Sequence, residues 1–275
     1  MTDRYAVIGN PVAHSKSPLI HATFARQTHQ DLRYEAILAL PGGFITTVET
    51  FRQQGGKGMN ITVPFKLEAY QFANELTERA RVARAVNTFK FENDKILGDN
   101  TDGAGLIRDI TANLNFPVTN KCVLLMGAGG ASRGVILPLL QQQPAMLAIA
   151  NRTPQKALDL QQQFAVYGQI NAGGYMDFAG EHFDIVINAT AASLSDDLPE
   201  LPDSIFAAEA LAYDMMYSNK PTRFLQYAAQ HGVPHLADGI GMLVEQAAES
   251  FYLWRGVRPD TRAVMAQLKN SRNRL

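Results

Sequence analysis

The chain has a single cysteine in 275 residues. Cys122 therefore has no partner for an internal disulfide, and a disulfide-stapled fold is excluded. It stands at the head of an apolar run, where packing accounts for it better than nucleophilic chemistry does. Neither sign of charge is in excess, the formal net charge being −1. No strong field draws nucleic acid or an anionic membrane surface, so neither is an expected partner. No apolar run approaches the ~18 residues of a membrane-spanning helix. Met1-Thr2-Asp3-Arg4 leads into a strand pattern with no signal-peptide signature, so a cytoplasmic location is expected. Internal repeats, low-complexity tracts and charge blocks are also missing. What is left is enough chain for one large domain or two ordinary ones.

The most informative stretch is Lys121-Cys122-Val123-Leu124-Leu125-Met126-Gly127-Ala128-Gly129-Gly130-Ala131-Ser132. An apolar run ended by glycine reads as a strand buried on both faces, and a helical pattern follows it. Gly127 permits a tight turn out of the strand. Gly129 leaves room for a pyrophosphate against the backbone, facing free N–H groups at the helix start. The third small position of the dinucleotide fingerprint is filled by Ser132. A glycine-rich turn with no ligand remains the alternative at this point.

The next absence narrows the choice. Met146-Leu147-Ala148-Ile149-Ala150 reads as the second strand of a βαβ unit. A site for the unphosphorylated dinucleotide wants an acid at the end of that strand, to bond the ribose 2′-hydroxyl. Here Asn151-Arg152-Thr153-Pro154-Gln155-Lys156 follows, with no acid in it. Arg152 and Lys156 offer positive charge and Thr153 a hydroxyl where a 2′-phosphate would sit. The pattern favours NADP over NAD. Thr153 also reads as an N-cap with Pro154 as first helical residue, which phosphate binding does not exclude.

Elsewhere strands alternate with helices. Tyr5–Ile8, Tyr34–Leu38 and Gly58–Val63 read as strands, with helices after Pro18 and Gly43. This pattern implies α/β architecture with a mostly parallel sheet. Ligands of such sheets bind beyond the carboxyl ends of the strands, where Asn60, Thr62 and Lys66 fall. Ser17 before Pro18 is a good N-cap, and Ser15 and Ser17 flanking Lys16 equally make a seat for a small carboxylate. His14 reads as a structural histidine rather than a base. With Pro64 opening a helix, Lys66 lies in its first turn, either as an arm reaching solvent or as a group tuned for proton transfer. Ala85–Phe91 and Lys95–Gly98 read as a hairpin. Asn87-Thr88 and Asn100-Thr101-Asp102 are polar clusters suited to a polyol, although Thr101 or Asp102 could simply cap the next helix. Pro138 should kink its helix. Later, Asp184–Thr190 and Ala210–Asp214 read as strands, Pro221 as a helix start and Met242–Arg255 as a helix. Gln246 and Glu249 lie off the apolar face of that last helix.

Taken together, these blocks resemble the shikimate dehydrogenase family over essentially the whole chain. The resemblance is carried by Gly9–Pro18, Asn60–Lys66, Ala85–Thr88, Gly98–Gly103, Gly127–Ala131, Asn151–Thr153, Asn188–Thr190 and Asp238–Ala248. It implies reversible NADPH-dependent reduction of 3-dehydroshikimate to shikimate, on the route through chorismate to the aromatic amino acids. It further implies a substrate domain (1–103, completed by helices in 240–275) and a Rossmann-like NADP domain (104–239), with a cleft between them. By the same likeness Ser15 and Ser17 hold the substrate carboxylate, with Tyr217 nearby. Asn60, Thr62, Asn87, Asp102 and Gln246 bind the ring oxygens, and Lys66 and Asp102 form the catalytic pair. Gly127, Ala128, Gly129, Gly130, Ala131, Asn151, Arg152, Thr153, Lys156, Met215 and Gly239 correspond to cofactor positions, and Glu78 is a further one. No metal is implied, and a monomer or homodimer is expected.

Two departures stand out. Ala191-Ala192-Ser193-Leu194 replaces the family's usual Ser and Gly after Asn188-Ala189-Thr190, and Pro221 comes later after Tyr217 than is usual. Two other functions stay in view: a quinate/shikimate dehydrogenase using NAD, and a redox sensor that holds NADP without turnover. Arg152, Thr153 and Lys156 speak against the first. Lys66 and Asp102 speak against the second, which needs no proton donor.

Overall fold

A computed structural model describes residues 2–92, 94–190 and 199–272. In chain order the strands and helices are β1 (Asp3–Gly9), α1 (Ser17–Gln27), β2 (Leu32–Leu38), α2 (Phe44–Gln53), β3 (Gly56–Ile61), α3 (Lys66–Phe72), β4 (Glu75–Leu76), α4 (Glu78–Ala83), β5 (Thr88–Glu92), β6 (Lys95–Asp99) and α5 (Asp102–Arg108). They continue as β7 (Cys122–Met126), α6 (Gly130–Gln141), β8 (Met146–Ala150), α7 (Pro154–Phe164), β9 (Ile170–Gly173), β10 (Phe183–Asn188), β11 (Phe206–Asp214), α8 (Arg223–Gln230), β12 (His235–Asp238), α9 (Ile240–Arg255) and α10 (Arg262–Arg272). The chain divides into two compact units, Met1–Gly105 with Val244–Leu275, and Leu106–Leu243.

The first unit is built on a sheet of order β2-β1-β3-β5-β6-β4. Strand β1 is buried on both faces. Ala6 and Ile8 join Phe44, Phe51, Met59 and Phe89 on one side, while Tyr5 and Val7 join Tyr34 and Trp254 on the other. Strands β1, β2 and β3 run parallel. The chain then reverses: β5 is antiparallel to β3, and β6 to β5. This hairpin departs from a uniformly parallel sheet, and the departure gathers the site. In the ladder Asn60 lies opposite Thr88, and Thr88 opposite Asp99. The carboxyl end of β3, the amino end of β5 and the carboxyl end of β6 therefore share one edge of the sheet.

The second unit has a six-stranded sheet, β12-β11-β10-β7-β8-β9, with every pairing parallel. Numbered within the unit this is the doubly wound order 3-2-1-4-5-6, whose switch point lies between β7 and β10. Val123, Leu124, Leu125 and Met126 are wholly buried, as the apolar run predicts. Each such side chain stabilises the fold by ~1.5–3 kcal/mol relative to exposure. Cys122 is half-buried at the strand's start, and burial, then the charges of Asp184 and Glu181, push its thiol pKa up, away from nucleophilic use.

Several local expectations shift by a residue or two. Lys16, not Ser17, occupies the N-cap of α1, and Ser17 is its first residue. The Ser15 hydroxyl takes over the capping work by accepting the Ser17 N–H. Pro64 follows a cis peptide bond and stands outside α3, which begins at Lys66. Thr77 caps α4 and Thr222 caps α8, each through its hydroxyl, so α8 begins at Arg223 rather than at Pro221. Thr153 does sit at the N-cap of α7, without a side-chain bond to the helix. Pro138 lies inside α6, which runs on through it. His14, read as structural, is exposed.

A different histidine is structural. His21 is fully buried in α1, stacked on the Tyr34 ring at 4.2 Å and 6° and bordered by Phe24, Phe251 and Trp254. Burial lowers its pKa to about 3, against the opposing effect of the Asn60 amide beside it. In the unfolded chain it titrates near ~6.5. Between those values the unfolded state binds a proton that the folded state refuses. Stability should therefore fall as pH drops from ~6.5 towards 3, by up to ~1.4 kcal/mol per pH unit from this group. His21→Phe should remove that contribution. Thermal unfolding of both proteins between pH 7 and 4 checks this: the parent should lose stability more steeply on acidification than His21→Phe, whereas parallel curves would mean that His21 takes up its proton in the folded state.

Candidate active site

The first unit assembles a polar network from the shared sheet edge and α9. Lys66, at the start of α3, places its Nζ 2.6 Å from Asp102 Oδ2, with only 15% and 6% of the two side chains exposed. The other carboxylate oxygen, Oδ1, accepts a hydrogen bond of 2.8 Å from Asn87 Nδ2. The orientation of that amide is determined by its surroundings. Asn87 Oδ1 accepts from the Thr101 backbone N–H at 2.8 Å. A backbone N–H can only donate, so the amide oxygen faces Thr101 and the NH2 faces the carboxylate. Thr101 Oγ1 takes the second Asn87 hydrogen at 2.9 Å. Asp102 therefore meets one donor on each oxygen.

Gln246 and Ser250, one turn apart on α9, close the network. Gln246 Oε1 lies 3.4 Å from both Asn87 Nδ2 and Thr101 Oγ1. Ser250 Oγ is 2.8 Å from Thr88 Oγ1 and 3.2 Å from Thr101 Oγ1. Asn60, expected to bind a ring oxygen, already has protein partners at both ends of its amide. Its Nδ2 donates to Ser250 Oγ at 2.9 Å and Thr88 Oγ1 at 3.1 Å, and its Oδ1 accepts from Tyr34 at 2.7 Å. Asn60 thus acts as a brace beneath the site in this arrangement. Tyr34 and Ser250 carry no motif that singles them out. Ser250 could have been suspected from its position four residues after Gln246, on the same helix face.

Lys66 carries three N–H donors and Asp102 receives one, leaving two for a ligand. Ser15 and Ser17 follow β1, and Thr62 follows β3. These two strands are parallel neighbours, with Ile8 opposite Ile61, so both loops leave the sheet side by side. Gly9 permits that closeness: a Cβ there would come within 2.3 Å of Thr62 Cγ2. Glu78, matched to a cofactor position, lies exposed in the first turn of α4 in this unit.

The remaining cofactor positions lie in the second unit, around its switch point. Gly127 leaves β7 with φ +106°, and a Cβ there would press on Thr190 Cγ2 at 3.1 Å. Gly129 forms the N-cap of α6, and nothing stands within 4 Å of where its Cβ would be. That open space in front of a helix N-terminus fits a pyrophosphate. Ser132 is wholly buried, consistent with close packing of helix on sheet at the third small position. Beyond β8, Arg152, Thr153 and Lys156 are exposed, and no carboxylate pairs with Arg152 or Lys156 among the described residues. Asn151 Nδ2 donates to Thr153 O at 2.9 Å, shaping the turn that presents them. Beyond β10, Asn188 Oδ1 accepts from the Thr190 N–H and hydroxyl, and its Nδ2 donates to the buried Asp214. Met215 and Gly239 meet backbone to backbone, since a Cβ on Gly239 would lie 2.2 Å from Met215 O. Tyr217 follows β11 in the same unit. The departure at Ala191–Leu194 lies outside the described residues.

Comparison with known proteins identifies the family. Family models for the shikimate dehydrogenase substrate binding domain, for shikimate / quinate 5-dehydrogenase and for the shikimate 5′-dehydrogenase C-terminal domain match residues 7–89, 110–195 and 239–269. A shikimate dehydrogenase (NADP+) of Nitrosospira multiformis is 65% identical over 98% of both chains. Among solved structures, an Ael1 enzyme from Pseudomonas putida is 53% identical with a TM-score of 0.91, covering 97% of this chain and 98% of its own. A shikimate 5-dehydrogenase from Thermus thermophilus, solved with NADP(H) and shikimate, is 31% identical with a TM-score of 0.86, covering 98% of this chain and 99% of its own. With its doubly wound glycine-turn unit, its lysine–aspartate pair and likeness of this extent, the chain belongs to the shikimate dehydrogenase family.

Proposed function

We propose that this chain is an NADP-dependent shikimate dehydrogenase, interconverting 3-dehydroshikimate and shikimate as a step towards chorismate and the aromatic amino acids. The observation that carries the reading is the partly buried Lys66–Asp102 pair, set in a network of amides and hydroxyls. When bound, NADPH supplies a hydride to the ketone carbon of 3-dehydroshikimate. The ketone oxygen then becomes anionic, and Lys66 stabilises that charge through one of its remaining N–H groups and delivers the proton. In the oxidative direction Lys66 takes the proton from the same hydroxyl. Asp102, held by Asn87, aims the ammonium and accepts from a neighbouring ring hydroxyl. Asn87 and Gln246 present amides to the ring, and Ser15 and Ser17 receive the carboxylate. A site built to pair hydroxyls discriminates strongly against an analogue lacking one, whose partner group is left buried and unpaired.

Arg152 and Lys156 would hold the 2′-phosphate, their charges being uncommitted among the described residues. The absence of an acid after β8 and the turn shaped by Asn151 support NADP over NAD, and with it an NADP-dependent shikimate dehydrogenase over a quinate/shikimate dehydrogenase using NAD. The proton-transfer pair supports turnover over a purely sensing role. On the partner side, the reading needs only small molecules. No helix among the described residues is long and apolar enough to cross a membrane.

Shikimate oxidation followed by absorbance with NADP+, with quinate as control, tests the whole assignment. Turnover of shikimate should far exceed that of quinate, and preference for quinate would transfer the assignment to that substrate. Lys66→Ala should lower kcat by ~10²-fold or more, the ordinary contribution of a positioned acid–base group, while shikimate still binds by calorimetry. Undiminished turnover would remove Lys66 from the chemistry. Arg152→Ala should raise the KM for NADP+ by roughly tenfold and leave the KM for NAD+ nearly unchanged, as expected for a charge that meets only the 2′-phosphate. Equal weakening of both would show that the arginine has no phosphate to meet.

A further inference from the structure

A buried carboxylate lies directly beneath the loop that carries Asp102. Asp99 ends β6 with 1% of its surface exposed, and its ionised form needs compensation there. Its Oδ1 accepts from the Thr77 hydroxyl at 2.6 Å, from Arg79 Nε at 2.7 Å and from the Asn100 N–H at 2.8 Å. Its Oδ2 accepts from Arg79 Nη2, so the guanidinium grips both oxygens. Burial works against the charge on Arg79, but the bonds to Asp99, then its charge and that of Glu249, raise its pKa overall. The grip is passed up the loop. Asn100 Nδ2 bonds Ala85 O at 3.0 Å, and Asn100 Oδ1 accepts the Asp102 N–H at 3.2 Å.

Arg79 has a second hold. Its Nη1 bonds Glu249 Oε1 at 3.2 Å. Glu249 stands on α9 between Gln246 and Ser250, the residues whose side chains reach Asn87 and Thr101. One guanidinium therefore ties the start of the 99–102 loop to α9.

We propose that Arg79 is a positioning residue for the reaction, acting through Asp99 to hold Asp102, and through Glu249 to hold Gln246, at the distances the Lys66 pair requires. This rests on the dehydrogenase reading. The planar fork suits the task because it fixes both carboxylate oxygens at once, which a lysine ammonium cannot do. Loss of the fork would leave a buried carboxylate without its charge partner, and the loop would shift to hydrate it. A misplacement of about 1 Å in a catalytic group can cost on the order of 10²-fold in rate.

The test compares Arg79→Lys, Arg79→Met and Arg258→Met with the parent enzyme. Arg258 also pairs with Glu249 but does not touch Asp99. Turnover of shikimate with NADP+ by the parent fixes the reference, so failure of the functional reading would show there and not in the ratios. Measured below each protein's unfolding temperature, kcat should fall about tenfold in Arg79→Lys and about a hundredfold in Arg79→Met, the lysine recovering part of the loss. The KM for NADP+ should stay within twofold. Arg258→Met should keep kcat within twofold. Unchanged kcat in the Arg79 variants, with only a lower unfolding temperature, would overturn the proposal, as would an equal loss in Arg258→Met. If Arg79→Met does not fold, Arg79→Lys decides alone: tenfold loss supports the proposal and full kcat refutes it.

Discussion

The first unit's chemistry depends on one hydrogen bond, from the Thr101 backbone N–H to the Asn87 amide oxygen. Were the amide turned over, its oxygen would face the Asp102 carboxylate and repel it. With the amide fixed, Asp102 has a donor on one oxygen and Lys66 on the other, and neither charge sits in the interior without a partner. The hydroxyls of Thr88, Thr101 and Ser250 matter because each can donate or accept as its neighbours require, which keeps a rigid pair of amides satisfied. A cluster of this kind is stable only when complete.

That cluster exists because the sheet is not wholly parallel. Strands β1 to β3 bring the Ser15–Ser17 and Thr62–Lys66 loops out side by side. The β5–β6 hairpin then runs against β3, and its open end falls at the same edge. A parallel β5 would have placed Asn87 at the far end of the sheet, some four or five residues of strand away from Asn60. The second unit makes the opposite choice. Six parallel strands leave helix N-termini and small residues at one edge, the arrangement suited to phosphate rather than to a sugar-like ring.

Much of this was legible beforehand, for reasons that differ from place to place. The run Val123–Met126 followed by Gly127 and Gly129 announces its structure because burial on two faces and a positive φ each demand a narrow set of residues. Arg152 and Lys156 are informative because an expected acid is missing. Lys66 and Asp102 lie 36 residues apart, and only the family resemblance linked them before the fold did so. The bracing role of Asn60 was not readable. It depends on Tyr34 and Ser250, whose partners lie 26 and 190 residues away. The start of α1 lies one residue earlier than Ser17 as an N-cap implies, because the Ser15 hydroxyl accepts the Ser17 N–H and draws Ser17 into the helix. The buried His21 gives no signal in the sequence, since an apolar helix face hides a histidine among residues of similar size.

The first unit is discontinuous in the chain, and this bears on its order of completion. Gln246, Ser250 and Trp254 all come from the part of α9 that follows Leu243, so they are synthesised after the entire contiguous span Leu106–Leu243. On the ribosome, the nucleotide-binding unit can close its core while the sheet of the first unit still exposes the face that Trp254 and Phe251 will cover. Asn60, Thr88 and Thr101 lack the Gln246 and Ser250 partners of the finished network until then. Competence to handle the ring thus depends on residues that the chain delivers only after the second unit's span is complete.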